Sequence, residues 1–212
     1  FHLFVPRNNA LEADYKHFVG IPELFPVNSV GIVTARDALT IHWTAEDVWQ
    51  TVTVFSKMDT ELARQSYSLG RDVRDWKVIM AQKDLLESGP VRDNIVPILY
   101  RPFDVRRTYY TGQTRGFICM PRPEVMRHML AGNNMALVAP KQHKDEFGAL
   151  ATQSIGTHKT VAAYDINYYF PLYLYPTANK DDLFGQHEPT ERQPNLNPTI
   201  VAALSDAFGQ KP

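Results

Sequence analysis

Cysteine is almost absent: Cys119 stands alone among 212 residues. A single thiol excludes an internal disulfide and a cysteine metal cluster, and it suits a reducing, cytoplasmic setting. No apolar run approaches the roughly 20 residues that a membrane-crossing helix needs, so no membrane partner is expected. No basic-then-apolar leader is present, which argues against a secretory signal. The chain opens on Phe1 instead of Met, directly in the strand-like FHLFV, as a piece of a longer polypeptide would.

Catalytic signatures are missing too. GQTRGF (112–117) lacks both the Lys-Ser/Thr ending and the strand-to-helix setting of a phosphate-binding loop. There is no Gly-x-Ser-x-Gly elbow. The seven histidines show no metal-ligand spacing. Cys119, between Ile118 and Met120, reads as a buried structural thiol and not as a nucleophile. Asn197-Pro198 is followed by Thr199 and Ile200, so it reads as a helix cap and not as an amino-methyltransferase site. No carboxylate pair suggests a nuclease. The expectation is a chain without catalysis, metal or cofactor of its own.

What is there concentrates between Val96 and Leu130. This stretch holds six of the thirteen arginines (Arg101, Arg106, Arg107, Arg115, Arg122 and Arg127), no lysine, and only Asp104 and Glu124 as acids. Tyr100, Phe103, Tyr109, Tyr110 and Phe117 are interleaved. Arginine forks suit phosphate oxygens and the edge of guanine, and aromatic faces stack or pack behind them. Net charge is −1, but its distribution is uneven: residues 95–164 carry nine bases against four acids, between two acidic flanks. A basic middle of that kind is the footprint of a nucleic-acid surface. A solvated sheet with ordinary surface arginines is the bland alternative. Arg101, Arg74 and Arg127 stand near Asp104, Asp72 and Glu124 and read as structural pairs.

Along the chain, Phe1–Pro6 reads as a strand and Asn9–Phe18 as a short amphipathic helix. Val30–Thr34 and Leu39–Trp43 are apolar, β-branched runs around Arg36-Asp37, the pattern of a hairpin. Residues 44–88 are helical: Thr44 with Asp47 makes an imperfect capping box, Asp59 caps a second helix, and Asp72 caps a third that ends at Gly89-Pro90. From Ile95 the pattern turns to strands at Ile95–Tyr100, Val105–Tyr110, Phe117–Met120, Met135–Ala139, Ala149–Ser154, Thr160–Ala163 and Tyr168–Tyr175. A short helix opens at Pro123, and a last one runs from the Asn197 cap to Phe208, with Gly209 just past its end. The result is an α+β chain with mixed, mainly antiparallel sheet, short flanking helices and a helical segment at about 44–88. It divides into a hairpin-plus-helical connector over 1–92 and an α+β domain over 93–212.

Several segments carry a resemblance. LFPVNSVGIVTARD (24–37), LGRDVRDWKV (69–78), PILYRPFDVRRTYYTG (97–112), RGFICMPRPEVMRHML (115–130), FPLYLYP (170–176) and PNLNPTIVAAL (194–204) resemble, in the same order, the C-terminal region of Type ISP single-polypeptide restriction–modification enzymes. In those prokaryotic proteins, nuclease, helicase-like translocase, coupler, adenine methyltransferase and target recognition domain share one chain. The resemblance implies that Phe1 follows the methyltransferase core and that the rest is the target recognition domain with its linking segments. S-adenosylmethionine, ATP and magnesium would then belong to the parent chain alone.

The leading expectation is therefore a non-catalytic DNA sequence-recognition domain, with double-stranded DNA and the upstream methyltransferase domain as its partners. Arg106, Arg107, Arg115 and Arg122 would grip phosphate or guanine. Lys141, Gln142, His143, Lys144, His158 and Lys159, in two polar loops, would reach bases or backbone. The alternative is an intramolecular coupling module that docks methyltransferase to motor through the 44–88 helices. An exposed Trp49 or Trp76 would favour it.

Overall fold

The structure is a computed structural model that describes residues 9–142, 148–162, 164–176 and 191–209. The expected strand Phe1–Pro6, the candidate residues His143 and Lys144, and most of the 176–196 loop lie outside these ranges. The first half of the chain is mainly helical: α1 (Asn9–Tyr15), α2 (Ile21–Leu24), the short strand β1 (Ser29–Val30), α3 (Asp37–Thr40), α4 (Ala45–Phe55), α5 (Thr60–Ser66) and α6 (Val78–Ser88). A 3-10 turn at Arg92–Asn94 leads to β2 (Ile95–Arg101), β3 (Asp104–Tyr109) and α7 (Pro123–Leu130). Then come β4 (Ala136–Pro140), β5 (Leu150–Thr152), β6 (Ile155–Gly156), β7 (Asn167–Pro171), β8 (Tyr173–Leu174), β9 (Gln193–Pro194) and α8 (Pro198–Phe208). The chain is α+β with mainly antiparallel sheets, as its pattern implies.

Helix starts follow the capping chemistry. Thr44 Oγ1 accepts the Asp47 N–H at 3.1 Å, Asp59 accepts from Glu61 and Leu62 at 2.9 and 3.1 Å, and Asn197 accepts from Thr199 at 3.0 Å. Each satisfies N–H groups that a helix terminus leaves open. Asp72 departs from this pattern. It receives Arg64 at 2.8 Å and the Val78 N–H at 3.2 Å, and the third helix starts at Val78, five residues later than a cap at Asp72 implies. Residues 73–76 form a tight turn that buries Trp76 completely, with its indole N–H donating to the Phe117 carbonyl at 3.3 Å.

Two sheets carry the architecture. One is antiparallel throughout, in the order β1-β7-β4-β5; the other is β3-β2-β6, with β2 and β6 parallel. The hairpin expected from 30–43 does not form. β1 pairs with β7, Ile32 bridges Thr157, Val33 bridges Met120 and His42 bridges Arg107. The cause is local. Ala35 adopts φ +63, and the Thr34 hydroxyl donates to the Asp37 carboxylate, closing a helical turn where a hairpin turn was expected. Phe117–Met120 is likewise a loop that makes one bridge, and residues 160–162 of the expected Thr160–Ala163 strand are not in a strand, Ala163 lying outside the described residues.

The two sheets meet along a seam. The Ile32 N–H donates to Gly156, the His158 N–H donates to Ile32, and the Thr157 N–H donates to Leu99. Backbone approach is so close that a Cβ on Gly31 would sit 2.5 Å from the Thr157 carbonyl, and one on Gly156 would sit 1.9 Å from the Tyr169 hydroxyl. One buried apolar cluster spans the seam, including Ile32, Leu39, Val52, Trp76, Ile98, Tyr109, Met126, Ile155 and Tyr169.

Buried asparagines tie down irregular backbone. Asn195 accepts from the Val27 N–H and donates to the Val27 and Pro171 carbonyls at 2.7 and 2.8 Å. Asn134 joins the His128 and Tyr173 carbonyls. His128 itself is buried, and its Nδ1 accepts the Tyr175 N–H at 2.9 Å. Burial, with Arg127 nearby, lowers its pKa to about 4. The folded state thus holds a neutral imidazole that the unfolded chain protonates near its ordinary value. Stability from His128 is complete above about pH 6.5 and drains away as pH falls toward 4. His128→Asn, whose amide oxygen offers a comparable acceptor, is expected to flatten that slope in denaturant titrations across this range. An unchanged slope refutes the assignment.

Candidate nucleic-acid interface

The arginine-rich stretch forms two features. The first lies on the β2–β3 hairpin. Alternation puts Tyr100 and Arg106 on one face of this pair, because Ile98 and Arg106 are register partners. Arg106 is sandwiched, its guanidinium 4.0 Å from the Trp43 ring centre and 4.4 Å from that of Tyr100. It also forks onto Asp104, with contacts of 2.9 to 3.1 Å. Arg101 lies over Tyr100 at 3.9 Å, and the Tyr100 hydroxyl donates to Asp37 at 2.8 Å. So Arg106, and not Arg101, is the partner of Asp104. Trp43 is 70% exposed, leaving its outer surface open beside this stack.

The seam brings a second loop to the same place. Thr157 Oγ1 donates to the Tyr100 carbonyl and Thr160 Oγ1 to that of Leu99, both at 3.1 Å, which fixes 157–160 against the end of β2. His158 and Lys159 lie between these anchors. His158 is half-buried, with Nδ1 3.0 Å from the Ile32 carbonyl oxygen. Burial pushes its pKa down, the Ile32 carbonyl opposes this, and Lys159 and Arg101 push further down. Its ring is a structural contact of the seam, whereas Lys159 is half-exposed without a side-chain ion pair among the described residues. On the other face of β3, Arg107 is exposed while its backbone pairs with His42 in both directions.

The second feature is a cleft of about 350 Å³ lined by Asp75, Thr114, Arg115, Met120, Arg122 and Glu124 among others. Arg115 and Arg122 both hold left-handed backbone, at φ +61 and +57. A non-glycine residue there carries strain on the order of 1–3 kcal/mol, which the surroundings must over-determine. Here they do. The Arg115 N–H is bound to the Cys119 carbonyl at 2.8 Å, and buried Asp84 accepts the Phe117 N–H at 2.7 Å and the Thr111 hydroxyl at 3.0 Å. Burial raises the Asp84 pKa, and these two donors pull against it. Gly116 passes over the carboxylate where a Cβ would lie 2.2 Å from it. Arg115 reaches Asp75 at 3.2 Å, which also holds Arg74, so Asp75 and not Asp72 is the partner of Arg74. Arg122 touches Met120 Sδ at 3.4 Å, and its Nε is buried with no partner among the described residues.

Lys141 and Gln142 belong to neither feature. They follow β4, where the Lys141 N–H binds Ile166 at 2.8 Å and the Gln142 N–H binds Asp165. Lys141 borders a depression of about 520 Å³ with Ile21, Pro22, Tyr168 and Phe170. The structure thus gathers Arg106 and Lys159 with Arg101 and Tyr100, pairs Arg115 with Arg122, and places Lys141 and Gln142 elsewhere. Sequence reasoning passes over Trp43 and gives Tyr100 no role of its own. The available signal was an aromatic residue directly before the Thr44 cap and another at the end of a strand that Pro102 terminates. Among the described residues, no group of three or more His, Cys, Asp or Glu is placed to hold a metal ion, and no helix is long and apolar enough to cross a membrane.

The family model of the Type ISP C-terminal specificity domain matches residues 23–212. No curated protein matches the sequence. Solved structures share the fold at low identity. A cryo-EM structure of a DrdV–DNA complex aligns with TM-score 0.57 at 18% identity, covering 93% of this chain and 19% of that one. A nuclease-deletion mutant of the Type ISP restriction–modification enzyme LlaGI, in complex with a DNA substrate mimic, gives 0.57 at 16%, over 84% and 17%. The ATP-dependent Type ISP enzyme LlaBIII bound to DNA gives 0.58 at 14%, over 87% and 12%. This chain therefore spans less than a fifth of each of those proteins.

Two substitutions test the geometry. Asp84→Ala strips the acceptor from Phe117 and Thr111 and is expected to lower stability by about 1–3 kcal/mol, with Asp84→Asn milder because one acceptor survives. Arg106→Lys keeps the charge but loses the fork and the flat stacking surface, so a loss of about 1 kcal/mol is expected in chemical denaturation. Wild-type stability in Arg106→Lys refutes the sandwich.

Proposed function

The chain belongs to the Type ISP C-terminal specificity domain family, and we propose that it is the non-catalytic DNA-recognition domain of a longer restriction–modification polypeptide. It would hold duplex DNA for an adenine methyltransferase domain in the same protein. The observation that carries this reading is the half-buried guanidinium–aromatic stack of Arg101, Tyr100 and Arg106 beside exposed Trp43. Stacked guanidinium groups keep N–H edges pointing outward for phosphate or guanine while their flat faces are already ordered. The fold shared with DNA-bound enzymes supports it.

Within that reading the roles divide. Arg107 and Lys159, exposed or half-exposed and without ion pairs among the described residues, are the freest to take phosphate. Arg115 and Arg122 grip phosphate across their cleft, with Asp75 as the competitor that DNA must displace from Arg115. Arg106 is committed to Asp104 and two rings, so it acts as a positioned edge and not as a mobile cation. Lys141 and Gln142 would contact DNA only from a separate patch. Methylation, translocation and cleavage, with S-adenosylmethionine, ATP and magnesium, belong to other parts of the parent protein.

The coupling role retains one specific observation. Helix α8 buries none of its residues, and Leu204 and Phe208 are 46% and 75% exposed, so this helix offers an apolar face to another domain. Trp76 is buried and Trp49 lies under Arg92 at 4.7 Å, so neither tryptophan supplies the helix-face contact that a coupler through 44–88 requires.

Equilibrium binding of the full-length protein to duplex DNA across a salt series tests the DNA reading. Affinity is expected to fall linearly with salt on logarithmic axes, and Arg107→Ala or Arg115→Ala should each shrink the slope by about 0.9, one phosphate contact. Absence of binding at low salt, or binding with no salt slope, overturns the proposal.

A further inference from the structure

The most exposed large apolar side chain among the described residues is Phe103, at 89%. It stands at the tip of the β2–β3 hairpin, where Arg101 and Asp104 are register partners and Pro102-Phe103 makes the turn. Its φ is +60. Proline followed by a residue of positive φ is the pattern of a type II turn, whose third position favours glycine or asparagine. A phenylalanine there pays twice: a bulky side chain occupies strained backbone, and its ring is left in water. The fold covers little of the ring: it stands 89% exposed at the edge of a depression of about 440 Å³ lined by Leu99, Val105, Met135 and Leu150. A residue that strains the chain in order to project an apolar ring outward points to a contact made outside this fold.

The surroundings identify the kind of contact. On the strand flanks of the tip, Arg101 and Arg106 are stacked on Tyr100, and Lys159 approaches from the seam loop. Among the described residues Asp104 and Asp37 oppose them there, and Asp104 is committed to Arg106. A rigid, antiparallel hairpin with an apolar ring at its point and cations along one side matches a polyanion with a stack of flat apolar faces. An acidic protein groove would meet the cations but gives no reason for a ring held out at the very tip.

We infer that Phe103 is a wedge that enters the DNA base stack, opening one base step while the arginines beside it hold the flanking phosphates. This rests on the DNA-recognition reading and adds a deformation component to it: the step that yields most easily to the ring is read without hydrogen bonds. Pyrimidine–purine steps, which unstack most readily, are the preferred substrates of such a wedge.

The test uses the full-length protein and a duplex that the wild type selects from a random-sequence pool, with 2-aminopurine placed at successive positions. Wild type is expected to raise the emission at one step. Phe103→Ala and Phe103→Gly should abolish that rise and weaken binding about tenfold, as loss of one base–aromatic contact does, whereas Phe103→Trp retains both. Phe103→Gly should also melt at a higher temperature than wild type, because it relieves the turn. The wedge is overturned if the emission rise and affinity survive Phe103→Ala, or if Phe103→Gly melts lower, which would make the ring a fold contact. If the wild type selects no duplex at all, it is the DNA-recognition reading itself that fails.

Discussion

The whole cationic face hangs on one backbone constraint: residues 155–158 must lie flat between Ile32 and Leu99. Those strands are separated by long stretches of sequence, so no local propensity holds them together. What permits the approach is the missing Cβ of Gly31 and Gly156, since a methyl at either place would overlap the Thr157 carbonyl or the Tyr169 hydroxyl. What fixes it is a run of short hydroxyl contacts. Thr160 Oγ1 donates to the Leu99 carbonyl and also touches the Tyr169 hydroxyl at 2.8 Å, in a pocket with no water access. In such a low-dielectric place each satisfied hydroxyl is strong, and each unsatisfied one would be costly. The Lys159 loop is therefore placed beside Tyr100 by the core and not by surface electrostatics.

The same logic explains why six arginines within thirty-five residues do not simply repel one another. Their guanidinium groups are distributed onto flat partners and carboxylates. Arg101 and Arg106 share the two sides of the Tyr100 neighbourhood, Asp104 takes a bidentate fork, and Asp75 takes Arg115. An exposed ion pair contributes little on its own, about 0–1 kcal/mol. Here its value lies in direction. A guanidinium held on two edges has already lost the rotamer freedom that binding would otherwise remove.

How much of this was legible beforehand depends on whether the deciding contact was near or far in the chain. Caps are near: Thr44, Asp59, Asn197 and Gly209 all act where their identities imply. The β2–β3 hairpin is also near, apart from its bulge between Leu99 and Arg101. The 30–43 run failed because its two apolar halves have stronger partners far away, β7 and β3, and a helical turn between them serves both. Asp72 failed for a similar reason. An aspartate before an apolar run is a cap unless a cation comes closer, and Arg64 does. Of the candidate residues, Arg107 and Lys159 make no side-chain ion pair among the described residues, but nothing in the sequence set Arg107 apart from Arg106 and Arg115, which do. The fixed role of His158 was not legible either, since its partner Ile32 lies 126 residues earlier. The exposure of Trp43 was invisible as well, because helical and strand periodicity both assign an isolated tryptophan to the core.

Strain gives a last distinction between scaffold and working surface. Five non-glycine residues hold positive φ among the described ones: Ala35, Ser68, Phe103, Arg115 and Arg122. Ala35 sits at a turn that the Thr34–Asp37 contact closes, and Ser68 follows a helix end, so local structure accounts for both. The other three all fall in the arginine-rich stretch, and none of them belongs to the buried core cluster. Glycine or asparagine would hold each backbone more cheaply. Retaining Phe and Arg there makes sense only if the side chain matters more than the turn. A stiff turn also fixes where that side chain points, through the φ that penalises it. Preorganisation of this sort lowers the entropy lost on binding, and its cost falls on folding stability instead. A fold with one continuous core spanning both sheets is well suited to bear it.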